Sequence, residues 1–262
     1  MKVFDMIQFA TISQWRQYKN NSGMAGKTIG FVPTMGALHS GHLSLIKKSK
    51  KENDVTMVSI FVNKPQFDDK TDYVDYPQDI EKDVQLLETL FIDFLLIPEY
   101  KELYSDDYRF KVTEDSFSKL MEGKHRPGHF DGVLTVVMKL LVGIAPSKSY
   151  FGEKDYQQYC LIRDMAKSFF IETKIVVCPT VRNPDGLAES SRNSLLSPTA
   201  LKKSSQFFKE LSSTKTKDRA IASLKKSGFN VEYIEEFGGR RFGAVNIDNV
   251  RLIDNVEKKY PV

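Results

Sequence analysis

Residues 55–62, VTMVSIFV, are apolar at all but two positions, and they follow directly on a segment with helical patterning. In that segment Leu43, Leu45 and Ile46 alternate with Lys47, Lys48, Lys50 and Lys51, which reads as an amphipathic helix opening near Ser40. Ahead of it Ile29, Phe31 and Val32 read as a strand, so 29–62 is a strand-helix-strand unit. The unit recurs. A helix is expected over 79–89, a strand over 91–97 closed by Pro98, a helix over 156–170 and a strand over 174–177. Strands that alternate with helices are joined by crossovers and lie parallel, so the pattern predicts an α/β fold with a Rossmann-like parallel sheet. Residues 133–144, VLTVVMKLLVGI, are apolar nearly all round, which marks a helix buried in the core or an interface and stopped by Pro146. At the front of the chain an apolar alternation from Phe4 leads into a helix over 12–18, which Asn20, Asn21, Ser22 and Gly23 break.

From Pro198 the composition shifts to Lys- and Ser-rich helical segments, with short strands expected over 229–234 and 250–253. This predicts a smaller α+β C-terminal domain, and the expected division is 1–175 and 176–262. The chain of 262 residues carries a net charge of +4. A mild basic excess without a Lys/Arg block suits an anionic small substrate as well as it suits nucleic acid. Cys160 and Cys178 are too few for a disulfide framework or a zinc ribbon. With no signal-like start and no long apolar run, the expectation is a cytoplasmic protein with no membrane partner.

Function is concentrated in a few turns. In 28–42, TIGFVPTMGALHSGH, a strand passes at Pro33 into a tight turn with Met35 and Gly36, and then into a helix N-terminus. Unpaired amides and the positive end of the helix dipole make such a junction an anion site. His39 and His42 share one helical turn there, either as donors to phosphate, as ordinary half-buried histidines, or as metal ligands lacking a third. Asn63 and Gln66 follow a strand, where open α/β sheets place ligands; a proline turn with solvated amides is the alternative. Arg126 sits in a glycine-bracketed basic loop, which is a lid or a plain surface loop. Lys154 and Asp155 precede a helix as phosphate contact and N-cap, or as solvated lysine and N-cap. Residues 185–193, DGLAESSRN, supply hydroxyls and Arg192.

Taken together, PTMGALHSGH (33–42), SIFVN followed by QF (59–67), HRPGHFDGVLTVV (125–137), FGEKDYQQ (151–158), PTVR (179–182), DGLAESSRN (185–193) and RLIDN (251–255) resemble the pantothenate synthetase family over nearly the whole chain. The HxxH turn and the SSRN loop look like counterparts of the HIGH and KMSKS signatures of the wider nucleotidyltransferase class. The resemblance implies ATP-dependent condensation of (R)-pantoate with β-alanine to pantothenate, AMP and pyrophosphate, through a pantoyl adenylate and with Mg²⁺. It implies that His39, His42, Lys154 and Arg192 serve catalysis, with His42 at the family's proton-donor position. ATP is expected to meet Met35, Gly36, Gly41, Gly152, Glu153, Asp155, Val181, Glu189, Ser190 and Ser191 as well. Gln66 and Gln158 match the pantoate-binding glutamines, with Asn63 and Arg126 on the substrate side. No protein ligand to Mg²⁺ is assigned. A homodimer is implied, and no nucleic-acid partner.

Three departures stand out. Glu189 replaces an apolar residue beside the phosphate loop, where it repels ATP unless it turns outward or pairs with an arginine. Lys64 separates Asn63 from Pro65. The segment before RLIDN is short, which predicts a cut-back hairpin. Two rivals remain: another adenylyl transferase of the HxxH class, which the two glutamines and FGEKD oppose, and a non-catalytic nucleotide or RNA binder, for which the chain lacks basic residues interleaved with aromatics.

Overall fold

The computed structural model describes residues 6–213 and 215–258. The apolar start expected from Phe4 lies partly outside them. In chain order the first unit contains β1 (Ile7–Phe9), α1 (Ile12–Asn21), β2 (Ile29–Thr34), α2 (Ser40–Glu52), β3 (Val55–Ile60), α3 (Lys70–Val74), α4 (Ile80–Thr89), β4 (Phe94–Leu96), α5 (Tyr100–Leu103), α6 (Met121–His125), α7 (His129–Ile144), β5 (Lys148–Gly152), α8 (Tyr156–Ser168) and β6 (Lys174–Cys178). Its six strands form one sheet in the order β1-β4-β3-β2-β5-β6, parallel throughout.

Alternation along the strands explains why helices cover both faces. Phe31, Met57, Phe94 and Leu96 pack with Trp15 of α1, Leu134 and Leu141 of α7 and Ile162 of α8. Their strand neighbours Val32, Val58 and Leu95 point the other way, against Ile46 of α2 and Leu87 of α4. Of the two readings of α7, core holds for most of its length, with Val142 left exposed.

Strand β2 runs further than expected. The sequence places the start of the turn at Pro33, yet this residue pairs with Ser59 inside the ladder. Odd-numbered residues of β2 face β5, and that ladder stops at Phe31 and Ser149, so the missing proline N–H falls where no acceptor waits. Conversely β4 is shorter than the apolar run, because Phe91 takes a φ of +50° at the end of α4.

The second unit contains α9 (Pro198–Ser212), α10 (Lys217–Lys226), β7 (Asn230–Phe237), β8 (Arg240–Ile247) and β9 (Val250–Glu257). The three strands form an antiparallel meander on which both helices pack. The expectation of two short strands misses β8. Gly238 and Gly239, then Asp248 and Asn249, all adopt positive φ, which makes both connections two-residue hairpin turns of the mirror-image type I geometry. The expected division after residue 175 falls inside β6, whose pairing with β5 runs to Gly152 and Cys178.

Candidate active site

A cleft of about 730 Å³ lies between the two units. Its floor is the crevice between the carboxyl ends of β2 and β5, where the strand order reverses: β3 and β4 lie to one side of β2, β5 and β6 to the other. Such switch points are where open α/β sheets bind ligands, because neighbouring connections diverge there.

From β2 the chain enters a turn whose residues Gly36 and Ala37 both have positive φ, +78° and +48°. A Cβ at Gly36 would stand 2.9 Å from an Asp83 carboxylate oxygen, so this residue is confined to glycine by conformation and by space. His39 then caps α2. Its Nδ1 accepts from the Gly41 amide at 3.1 Å, and His42 Nδ1 accepts from the His39 amide at 3.4 Å. Because both Nδ1 atoms act as acceptors, the neutral rings carry their proton on Nε2. Burial, and then the nearby charge of Lys154, lowers the pKa of His39 to about 4; burial, His39 and Lys154 lower that of His42 to about 3. The pair is thus a set of uncharged donors with fixed tautomers.

Facing this turn is the Gly-Glu-Lys-Asp turn after β5. Asn255 of β9 donates to the carbonyl oxygens of Glu153 and Lys154 at 2.9 and 2.8 Å, and Arg240 pairs with Glu153 at 3.0 Å. The C-terminal unit therefore fixes the backbone that carries Lys154. Asp155 does not cap α8 as the sequence leads one to expect; it makes no side-chain cap and sits 3.6 Å from Lys154 Nζ instead.

The SSRN loop forms a 3-10 turn, in which Ser190 Oγ accepts from the Arg192 amide. Arg192 makes a forked pair with Asp72, at 2.8 to 3.1 Å, and Ser191 Oγ lies 3.1 Å from the Tyr76 hydroxyl. Arg126 pairs with Asp68 at 2.6 Å. The acidic segment around α3 thus supplies counter-ions to both arginines. Glu189 donates its amide to the Val181 carbonyl, and its side chain neither pairs with an arginine nor makes another polar contact among the described residues. Its Cβ lies 3.8 Å from where a Cβ on Gly41 would be, beside the N-terminus of α2.

On the substrate side Lys64, Pro65 and Gln66 form a 3-10 turn, so the extra lysine is absorbed inside a regular turn. Asn63 is 1% exposed and accepts from the Tyr104 hydroxyl at 2.7 Å, while its amide donates to Gln66 Oε1 at 3.0 Å and to the Gly132 carbonyl at 3.1 Å. Gln66 Nε2 in turn reaches Met35 Sδ at 3.1 Å, and His129 Nδ1 donates to the Gln66 carbonyl at 2.7 Å. A Cβ on Gly132 would stand 2.6 Å from Gln66 Cα, so α7 seats the turn only because that residue is glycine. Gln158 lines the cleft from α8.

Several residues are invisible to a reading of the sequence. Asp83, Asp72 and Tyr76 give no signal beyond ordinary polarity, and His129 and Gly132 stand in the quoted 125–137 motif without a role. Arg182, Arg251, Asp254 and Asn255 stand in the quoted motifs without a role. Here they join elements: Arg182 forks onto Asp254 at 2.6 and 3.0 Å, and Arg251 onto Glu122 at 2.6 and 3.0 Å. Burial opposes ionisation of Glu122, yet the Arg251 contacts prevail and hold its pKa down at about 2.

A protein-family model described as Pantoate-beta-alanine ligase matches residues 7–257. A pantothenate synthetase of Bdellovibrio bacteriovorus is 52% identical over 230 residues, 88% of this chain and 92% of that protein. One from Legionella pneumophila is 47% identical over 247 residues, 94% of this chain and 98% of its own length. Among solved structures, the pantoate-beta-alanine ligase of Francisella tularensis, complexed with beta-gamma ATP and beta-alanine, superposes with a TM-score of 0.92 at 44% identity, covering 97% of this chain and 98% of that one.

Proposed function

The chain belongs to the pantoate-beta-alanine ligase family, and on that premise we propose how its cleft carries out the reaction. The enzyme condenses (R)-pantoate with β-alanine to pantothenate and cleaves ATP to AMP and pyrophosphate by way of pantoyl adenylate. The observation that carries the residue assignments is the meeting, in one cleft, of the paired histidines, Lys154, the Ser190–Arg192 loop and the two glutamines.

In the first step a pantoate carboxylate oxygen attacks the α-phosphorus and pyrophosphate leaves. No protein nucleophile is needed; alignment and charge stabilisation do the work. His39 and His42 present Nε2–H groups to the phosphates as neutral hydrogen-bond donors. Lys154 supplies a point charge, and Arg192, released from Asp72, a planar fork. Met35 and Gly41 let the nucleotide lie against backbone, with Val181 and Ser190 on the opposite wall, while Gly36 lies off the cleft lining and shapes the turn. Gln66 accepts from a pantoate hydroxyl and donates to the carboxylate, held by Asn63, while Gln158 and Arg126 complete that pocket. In the second step the β-alanine amine attacks the adenylate carbonyl and AMP leaves, with the C-terminal unit excluding water from the mixed anhydride.

Mg²⁺ would accompany the phosphates in this scheme and neutralise part of their charge, and no protein ligand is assigned to it. A homodimer formed through the first unit and a cytoplasmic location are part of the same proposal. Among the described residues no helix is long and apolar enough to cross a membrane.

The test mixes protein, ATP, Mg²⁺ and pantoate, follows pyrophosphate, then adds β-alanine and assays AMP and pantothenate. Turnover that needs all three substrates is the expected result. Folded protein without pantoate-dependent pyrophosphate release would overturn the reading.

A further inference from the structure

One buried carboxylate serves no role in the scheme above. Asp83 is 3% exposed, on the first turn of α4, and both of its oxygens are spent on the turn that precedes His39. Oδ2 accepts from the Ala37 amide and Oδ1 from the Leu38 amide, each at 2.8 Å. These contacts join residues 46 and 45 positions apart, so they bind α4 to the end of β2 rather than stabilise either locally.

The turn needs such a partner. Ala37 has a φ of +48°, a conformation unfavourable for a non-glycine residue, and it directly follows the left-handed Gly36. The successive amides of Ala37 and Leu38 both point at Asp83, as amides of a turn do in an anion-binding nest. Here the nest is filled from within by a carboxylate. The same turn sets the course of the His39 backbone, whose amide donates to His42 Nδ1, and the capping of α2 by the His39 ring. Met35, at the other end of the turn, meets Gln66.

Resting on the reading of the site as the ATP-binding centre of the ligase, we propose that Asp83 is a positioning residue for adenylation. Its carboxylate locks the 35–38 turn and through it fixes the place and tautomer of both histidines. Asp83 touches no reacting atom; it acts through the backbone of the turn. In Asp83→Asn the new side-chain amide would turn a donor toward one of the two peptide N–H groups and break half of the lock.

The test compares wild-type protein with Asp83→Asn and with Asp79→Asn. Asp79 caps the same helix, accepting from the Lys82 amide, and among the described residues its side chain makes no hydrogen bond to the turn. Pantoate-dependent pyrophosphate release is expected to fall roughly 100-fold in Asp83→Asn, the scale of a displacement of about 1 Å at a reacting group. The KM for β-alanine in the second step should stay within about twofold, and Asp79→Asn should keep the wild-type rate. Imidazole nitrogen NMR supplies the signature that a merely structural role would not move. Two of the four histidines should leave the pure Nε2–H pattern in Asp83→Asn, in samples whose circular dichroism matches wild type. Unchanged histidine resonances with an unchanged release rate would overturn the inference, as would an equal loss in Asp79→Asn. If Asp83→Asn fails to fold, Asp83→Glu, whose longer arm pushes both acceptors outward and so displaces the turn they hold, is read in its place; wild-type rate and wild-type resonances there would also overturn it. A wild-type protein without pantoate-dependent release would sink the ligase reading instead, leaving the NMR comparison to judge the lock by itself.

Discussion

The two anion-binding turns of the cleft are built on opposite principles. In the HxxH turn every Nδ1 and both turn amides are satisfied from within the protein, the rings are neutral, and nothing has to move before Nε2 can donate. In the SSRN loop the working group is a full charge already occupied by another: Arg192 is forked onto Asp72 and lies over the Tyr76 ring. The first is preorganised and the second is exchanged. An enzyme that must bind a tetra-anion and then release pyrophosphate gains from having both. Fixed neutral donors keep geometry, and an exchangeable cation keeps affinity from becoming a trap.

The comparison can be broken most directly at the fixed turn. His42→Ala removes a preorganised donor and should lower the rate of pyrophosphate release about 10² to 10³-fold, the cost of losing one such donor elsewhere, with the protein still folded by circular dichroism. A rate near wild type would end the assignment. At the exchangeable loop, Arg192→Lys keeps the charge and loses the fork, so the KM for ATP should rise about tenfold, with a smaller change in kcat. Asp72→Asn is predicted to act with the opposite sign. Freed from its counter-ion, Arg192 should bind ATP a few-fold more tightly by calorimetry, corresponding to about 1 kcal/mol or less because the pair is partly exposed. Weaker binding would mean that Asp72 is part of the ATP site rather than a stand-in for it. Gln66→Ala and Gln158→Ala lie outside both turns and should raise the KM for pantoate more than that for ATP.

The smallest effect is on stability as a function of pH. His39, His42 and His129 have pKa values lowered to about 4, 3 and 4, chiefly by burial. Between about pH 6.5 and 4 the unfolded chain binds protons that the folded chain refuses, so stability falls as pH drops through that window and is complete above it. Melting temperatures at pH 7.5 and 5 measure this, and His42→Ala should shrink the difference.

Legibility in the sequence follows the same division. The alternation of apolar strands with amphipathic helices announces a parallel sheet, because that period is a local property. Glycines and histidines in a strand-to-helix junction announce the anion site for the same reason. Asp83 and Asp72 are illegible: each acts on a partner 45 or more positions away, and an aspartate on a helix looks the same whether it faces solvent or a buried turn. Strand β8 goes unread although Gly238-Gly239 and Asp248-Asn249 bracket it with turn chemistry, since RRFGAVNI lacks a long apolar run. Pro33 misleads because a rule about strand interiors is applied to a strand whose second neighbour ends early. Glu189, which repels ATP unless it turns outward or pairs with an arginine, pairs with no arginine and lines the cleft wall with its Cβ beside the start of α2.

The crevice between β2 and β5 also dictates when the site can come into being. Its two walls are joined by contacts such as Ile29 to Ser147, which close a loop of 118 residues, whereas the meander closes through turns of two. Long closures are entropically late and tight hairpins early. The nucleotide pocket is therefore among the last features to be assembled when the chain refolds. Nucleotide binding, followed after dilution from denaturant, should lag behind the recovery of backbone signal, and a ribosome-bound chain must extend past β5 before it has any pocket to offer.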